Sequence, residues 1–282
     1  MGNKKTSILE IQQAKSEGRK LVMVTAYDYP FGLLADQAQV DLVLVGDSLG
    51  MVVMGLNATV EVTMEHMIHH IKAVVRGCKG PLVIGDMPFM SYNTSIREAI
   101  HNAGRLMKEG GCDAIKLEGG VNFAPTIEAI AKAGIPVQGH IGLTPQTASA
   151  LGGFKMQGKD AAAAKQIMDD ARAIEKAGAF SIVLEAVPAP LGKLIAEAVK
   201  VPVIGIGAGP DVDGQVLVTH DMIGLFDKFV PKFVKQYAQI RAIILEAMKS
   251  YKEEVQKMAF PGPEHSFKMP EETLTQLKKM ID

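Results

Sequence analysis

Eight short apolar runs rich in Val, Ile and Leu punctuate the chain, at 21–26, 40–45, 81–85, 114–117, 135–139, 180–184, 201–206 and 216–219. Each is too short for a helix and too continuously apolar for a strand with one wet face, which predicts strands buried on both faces. Between them the apolar positions fall at helical spacing, at 8–17, 31–39, 63–76, 95–109, 125–132, 159–177 and 191–199, and a long helix is expected over 232–258. Thr63 and Ser95 stand where N-caps belong, and Gly110-Gly111, Gly134 and Gly178 stop helices just before a strand. Regular strand–helix alternation demands parallel pairing with right-handed crossovers. Eight such units in this length predict an α/β fold of the (β/α)8 TIM-barrel kind rather than an open doubly wound sheet. Neither a linker nor a low-complexity segment interrupts it. A single barrel domain over 1–282 is expected, with a C-terminal extension from about residue 260 that ends in a short polar helix at 269–282.

Composition narrows the class. With 282 residues and 48% hydrophobic side chains, the chain can bury a large core. Thirty Lys and Arg against 31 Asp and Glu leave a net charge of -1, which argues against nucleic acid as an obligate partner. No apolar run reaches the roughly 18 residues of a membrane span, so no membrane partner is expected. The first residues, Met1-Gly-Asn-Lys-Lys-Thr, lead into no apolar signal core. The two cysteines, Cys78 and Cys112, belong to no metal or redox motif and read as buried small hydrophobes. A cytoplasmic protein is expected.

The candidate chemistry lies where the runs end. The second run leads into Asp47-Ser48, the third into Asp86, the fourth into Lys116-Leu-Glu118, the fifth into His140 and the sixth into Glu185. In a parallel α/β sheet the carboxyl edge is where chemistry is kept, so one site ringed by strand ends is expected. Neighbouring strands lie about 4.8 Å apart, and Asp47, Asp86 and Glu118 would repel one another strongly at that spacing unless a cation sits among them. All-oxygen ligands suit a hard ion, and Mg²⁺ tolerates few protein ligands and keeps waters for a substrate to displace. The alternative is that these carboxylates cap loops or pair with Lys116. Lys116 lies two residues before Glu118 and shares its strand face, where a lysine meets an anion or forms a Schiff base; nothing marks the apolar pocket that a Schiff base would need. Ser48 holds a substrate carboxylate or is a turn hydroxyl. Glu185 follows four apolar residues, and dry surroundings would raise its pKa and suit it to general-base work; a structural salt bridge is the other reading.

Several further features compete for attention. His66 and His70 stand four apart on one helix, but Met67 rather than a Glu follows His66, so the zincin order is absent, and the helix faces the barrel's outside, so packing roles are expected. Gly205-Ile-Gly207-Ala-Gly209 lacks the full dinucleotide-binding spacing and follows the seventh strand; it could bind phosphate, or let the backbone come close to a flat ligand, which we favour. The irregular stretches at 46–63 and 141–158 are long enough to be functional covers over the site.

Together these segments resemble one family, the ketopantoate hydroxymethyltransferases. The resemblance is carried by Thr25-Ala-Tyr-Asp28, Val45-Gly-Asp-Ser-Leu-Gly50, Gly85-Asp-Met-Pro-Phe-Met-Ser-Tyr92 and Lys116-Leu-Glu-Gly-Gly120. It continues through Gly139-His-Ile-Gly-Leu-Thr-Pro-Gln146, Gly152-Gly-Phe-Lys155, Leu184-Glu-Ala-Val-Pro188 and Gly205-Ile-Gly-Ala-Gly209 with Asp213-Gly-Gln215. It runs in order over roughly 8–267, with no departure at a motif position. It implies a barrel of the phosphoenolpyruvate/pyruvate-binding type that transfers a one-carbon unit from 5,10-methylenetetrahydrofolate to 3-methyl-2-oxobutanoate, giving 2-dehydropantoate for pantothenate and coenzyme A synthesis. It also implies Mg²⁺ on Asp47 and Asp86, with Glu118 completing the metal site directly or through water. Asp47, Ser48, Asp86, Lys116 and His140 are implied as the ketoacid-binding set and Glu185 as the proton acceptor, in a homo-oligomer of decameric form. Two rival readings are another Mg²⁺-dependent 2-ketoacid lyase or aldolase on the same barrel, and a barrel that binds the ligand without turnover.

Overall fold

The computed structural model describes residues 4–148 and 153–281. Eight parallel strands close into a barrel in sequence order: β1 Leu21–Thr25, β2 Leu42–Val45, β3 Leu82–Asp86, β4 Ala114–Glu118, β5 Val137–Gly142, β6 Ser181–Glu185, β7 Val203–Ile206 and β8 Gly214–Leu217. Helix α1 (Ile8–Ser16) precedes the barrel, held at its start by a reciprocal cap between Ser7 and Glu10. The crossovers are α2 (Tyr29–Gln37), the one-turn α3 (Leu49–Val52), α4 (Met64–Gly77), α5 (Ile96–Arg105), α6 (Ala124–Lys132), α7 (Ala161–Lys176) and α8 (Ala189–Ala198). After β8 come the one-turn α9 (Thr219–Met222), the long α10 (Ile240–Gln256) and α11 (Glu271–Ile281). Asp28 accepts a hydrogen bond from the Phe31 amide, Thr63 from the His66 amide, Ser95 from the Glu98 amide and Asp160 from the Ala163 amide, so four of the crossovers start at side-chain caps.

The strands are apolar on both faces because the barrel has two cores. Outward-facing residues such as Val43, Val83, Ile115 and Ile182 pack against the helices, among them Ile71 and Val74 of α4 and Ile174 of α7. Inward-facing residues at alternate positions fill the interior: Leu21 and Met23, Leu42 and Leu44, Leu82 and Ile84, Ala114, Val183, Ile204 and Val216. Ile11 and Ala14 of α1 join this inner cluster and close one end. Continuing the same alternation toward the carboxyl ends, the inward positions turn polar, at Asp86, Lys116, Glu118 and His140.

β5 starts at Val137 rather than 135 and runs on to Gly142, β7 starts at Val203 rather than 201, and the one-turn α3 forms inside the stretch expected to be irregular at 46–63. Three further departures have a clear physical cause. The eighth strand lies two residues earlier than 216–219, because Gly214 is paired with both Leu21 and Ile204 to close the ring, and Thr219 instead bonds Thr25 at the start of α9. The helix expected over 95–109 ends as α5 at Arg105 and continues as one wide turn, Leu106–Gly110, before Gly111 reverses it at φ 86°. The helix expected from 232 begins at Ile240. The apolar spacing of Phe233, Val234 and Tyr237 imitates a helix, but Phe233 is drawn onto the Gly207 turn, where a Cβ would lie 2.6 Å from its ring. Within the chain, a Cβ at Gly207 would meet Phe233 and one at Gly209 would meet Ala189, so the glycines of this turn admit close packing of the chain itself.

Candidate active site

Register explains why the strand ends meet. Asp86 of β3 is the Cα partner of Lys116 of β4, and Glu118 of β4 is the partner of His140 of β5. Partners on adjacent parallel strands point the same way, so each pair shares the barrel mouth. Lys116 Nζ lies 2.8 Å from Asp86 Oδ1, and His140 Nδ1 lies 3.3 Å from Glu118 Oε1. The second imidazole nitrogen, Nε2, stands 3.1 Å from Glu185 Oε2 at the end of β6, out of line for a good hydrogen bond. Asp47 enters from the turn after β2, its amide donating to Asp86 Oδ2 at 3.2 Å. Ser48 Oγ is 2.9 Å from the Tyr27 hydroxyl. Thus Asp47, Ser48, Asp86, Lys116, Glu118, His140 and Glu185 all line one inner cavity of about 110 Å³.

Every ionisable group here is buried except Glu185, whose side chain is 15% exposed. Burial, then the neighbouring carboxylates of Asp86 and Glu118, hold the Asp47 carboxyl well above the ordinary aspartate range. Burial also raises Asp86, though Lys116 pulls against it. Burial disfavours the Lys116 ammonium, but Asp86, Glu118 and Asp47 outweigh it and raise its pKa. For His140, burial and the Lys116 charge oppose protonation, yet Glu118 and Glu185 together lift it to about 9.

Sequence reasoning passed over the residues that hold this cluster still. Gln146 is 4% exposed; its Nε2 donates to Asp47 Oδ2 and to the Met87 carbonyl, both at 2.9 Å, and its amide donates to Glu118 Oε2 at 3.0 Å. Tyr92 donates to Gln146 Oε1 at 2.7 Å and accepts from the Glu118 amide. Both residues sit inside motif segments, but their roles depend on contacts 54 and 28 residues apart in sequence, which no local pattern reports. Asp221, at the start of the chain's return from β8, also went unremarked. His66 and His70 take no part: His66 Nδ1 accepts from the Thr63 amide and His70 Nδ1 meets the Tyr27 carbonyl. Of the 141–158 stretch, residues 149–152 lie outside the described residues; Pro145 and Phe154 on either side line cavities at the mouth.

Among the described residues no three His, Cys, Asp or Glu side chains form a ready-made metal group. Two carboxylates are the better match to this geometry. Asp47 and Asp86 are adjacent and mutually repelled, and Asp86 Oδ1 has no aligned hydrogen bond despite its nearness to Lys116. A small hard dication with several waters suits that pair, while Glu118 is already engaged by Gln146 and His140.

The chain matches the sequence profile of the ketopantoate hydroxymethyltransferase family over residues 5–263. A 3-methyl-2-oxobutanoate hydroxymethyltransferase of Heliobacterium modesticaldum is 56% identical over 269 residues, covering 95% of this chain and 98% of that one. One of Moorella thermoacetica is 57% identical, covering 94% and 98%. Among solved structures, phosphonopyruvate hydrolase in complex with oxalate and Mg²⁺ superposes with a TM-score of 0.61 at 14% identity, over 92% of this chain and 93% of that one. A 2,3-dimethylmalate lyase of the PEP mutase/isocitrate lyase superfamily gives 0.58 at 15% identity, over 98% and 96%. At such identities these two establish the barrel type alone.

Proposed function

The chain belongs to the ketopantoate hydroxymethyltransferase family, and from that membership we propose how its barrel mouth works. The reaction places a hydroxymethyl group on 3-methyl-2-oxobutanoate in pantothenate biosynthesis. In our reading the one-carbon donor is 5,10-methylenetetrahydrofolate, and one water completes the balance: the methylene carbon and the water's OH become the hydroxymethyl group, and tetrahydrofolate leaves.

The observation that carries the assignment is the single inner cavity in which a carboxylate pair, a buried ammonium and Glu185 face one another. Asp47 and Asp86, with Glu118 beside them, would hold Mg²⁺, which would supply Lewis-acid polarisation of the keto group. Ser48, steadied by Tyr27, binds the ketoacid carboxylate. Lys116 sets positive charge beside the oxygen on which enolate charge develops. Glu185 accepts the C3 proton, and His140, its Nε2 3.1 Å from Glu185 Oε2, stands beside it to position the carboxylate. The resulting C3 carbanion equivalent attacks the folate-borne methylene.

The test is exchange of the C3 hydrogen of 3-methyl-2-oxobutanoate in D₂O, followed by NMR without folate. Exchange is expected to need Mg²⁺ and to fall by about 10²–10⁴-fold in Glu185→Gln. Undiminished exchange in that variant would remove Glu185 from the role. Product formed without any folate donor would favour a lyase or aldolase instead.

The reading includes a cytoplasmic homo-oligomer of decameric form. No described helix is long and apolar enough to cross a membrane, and Cys78 and Cys112 are free and buried, as a reducing compartment allows. Helix α10 has no buried residue and leaves Ile243, Met248 and Tyr251 more than half exposed, an apolar face that further copies of the chain would cover. A monomeric mass by light scattering at micromolar concentration would exclude it.

A further inference from the structure

A second cavity, of about 250 Å³, opens directly beyond the inner one and shares Ser48, Pro145, Glu185, Ile206 and Val218 with it. Whatever occupies it lies against the ketoacid, on the side where Glu185 takes the C3 proton. Its walls are apolar, built by Met51 and Val52 of α3, by Leu56, and by Phe226 and Val234 from the segment between α9 and α10. Asn57, Thr59 and Lys228 also line it, and a second carboxylate besides Glu185 interrupts the apolar walls. Asp221 is 7% exposed and lines this cavity, and its Oδ1 has no hydrogen-bond partner. No arginine or lysine is paired with it among the described residues. The neighbouring His220 does not neutralise it, since burial lowers the pKa of that imidazole.

A buried carboxylate without a partner is costly and marks a place where donors arrive from outside the chain. The flanking walls describe that visitor as flat and apolar on its faces, with at least two N–H donors along one edge. We propose that this cavity is the pterin subsite of the one-carbon donor and that Asp221 binds the 2-amino and N3–H edge of the pterin. The two carboxylate oxygens match the two parallel donors of a 2-amino-4-oxopteridine, as they match the fork of a guanidinium. Edge recognition by Asp221 turns the N5–N10 side of the pterin away from that carboxylate and into the space that Ser48 and Glu185 also line, where the methylene is needed. This rests on the folate-dependent reading above and adds to it the residue that selects the pterin.

The experiment compares tetrahydrofolate with its 2-desamino analogue by calorimetric titration of the full chain with Mg²⁺ and 3-methyl-2-oxobutanoate present. Wild type is expected to bind tetrahydrofolate at least tenfold more tightly than the analogue. Asp221→Asn, which turns one acceptor into a donor, is expected to weaken tetrahydrofolate at least tenfold and to bind the two ligands alike. A variant that merely loosened the fold would weaken both in proportion and keep the preference. If wild type binds both ligands equally, the proposal is overturned without recourse to any variant. If Asp221→Asn retains the full preference, it is overturned likewise. Failure of wild type to bind either ligand would instead overturn the folate-dependent reading itself.

Discussion

Lys116→Met would remove the ammonium from the middle of the acidic mouth while keeping the length of the side chain's apolar stem. Lys116 and its partner Asp86 have side chains 4% and 2% exposed, at 2.8 Å, with Asp47 and Glu118 close enough to raise the lysine's pKa as well. Taking one partner from a buried pair leaves an uncompensated charge, and costs of about 3–5 kcal/mol are typical. Asp47 and Asp86 already have raised pKa values, so their folded forms hold protons at a pH where the unfolded chain has released them. Protonation therefore favours the folded state as pH falls toward those raised values, and it can substitute for the missing ammonium. The expected result is a loss of about 3–5 kcal/mol at pH 8 that shrinks clearly at pH 5. Saturating Mg²⁺ at pH 8 is expected to recover part of it, about 2.7 kcal/mol at a hundred times Kd. Thermal unfolding of wild type and variant at both pH values, with and without Mg²⁺, reads all of this. A variant as stable as wild type at pH 8 in chelator, or one that loses more at pH 5 than at pH 8, would refute the electrostatic account of the mouth.

Other perturbations probe its supports. Gly142 ends β5 at φ 89°, and a Cβ there would lie 2.3 Å from the Glu185 carbonyl oxygen. Gly142→Ala is expected to cost about 1–3 kcal/mol and to lower C3 exchange by displacing Glu185; unchanged exchange would mean that the β5–β6 junction does not position it. Gln146→Leu strands the Tyr92 hydroxyl and one Asp47 oxygen, so a loss of about 1–3 kcal/mol and weaker Mg²⁺ binding by titration are expected, and unaltered Mg²⁺ affinity would count against its hold on Asp47. Burial pushes the Asp221 carboxyl up to about 6, so its ionisation burdens the folded state fully above pH 6 and not at all below about 4. Without folate, Asp221→Asn should therefore be more stable than wild type at pH 8, by about 1–2 kcal/mol once screening by pocket solvent is allowed for, and equal to it at pH 4; a less stable variant at pH 8 would contradict this. Chelation of Mg²⁺ is expected to abolish C3 exchange and its return to restore it, both read by NMR; exchange that persists in chelator would dismiss the ion from proton removal.

The barrel itself was legible in the chain, because a strand buried on both faces must be continuously apolar and a crossover helix must be amphipathic. The same logic exposed the polar residues that end the runs. Asp47, Asp86, Lys116, Glu118, His140 and Glu185 interrupt apolar runs at the one edge where an interruption is tolerated. The sequence could not say which of these groups touch. Asp86 meets Lys116, and Glu118 meets His140, because strand register makes them partners, and register is set by closing eight strands into a ring. Ring closure also moved β8 to Gly214 and drew Phe233 out of an apparent helix onto the Gly207 turn. Gln146 and Asp221 matter only through long-range neighbours, the first by bridging Asp47, Met87 and Glu118, the second by turning a buried oxygen without a hydrogen-bond partner among the described residues into the second cavity. Local patterning thus determined which residues could lie inside and at which edge the polar ones gather, since burial is decided by period and hydrophobicity. Partnership, protonation and the shape of the second cavity were decided only by tertiary structure, since they depend on distances of a few ångströms between segments far apart in the chain.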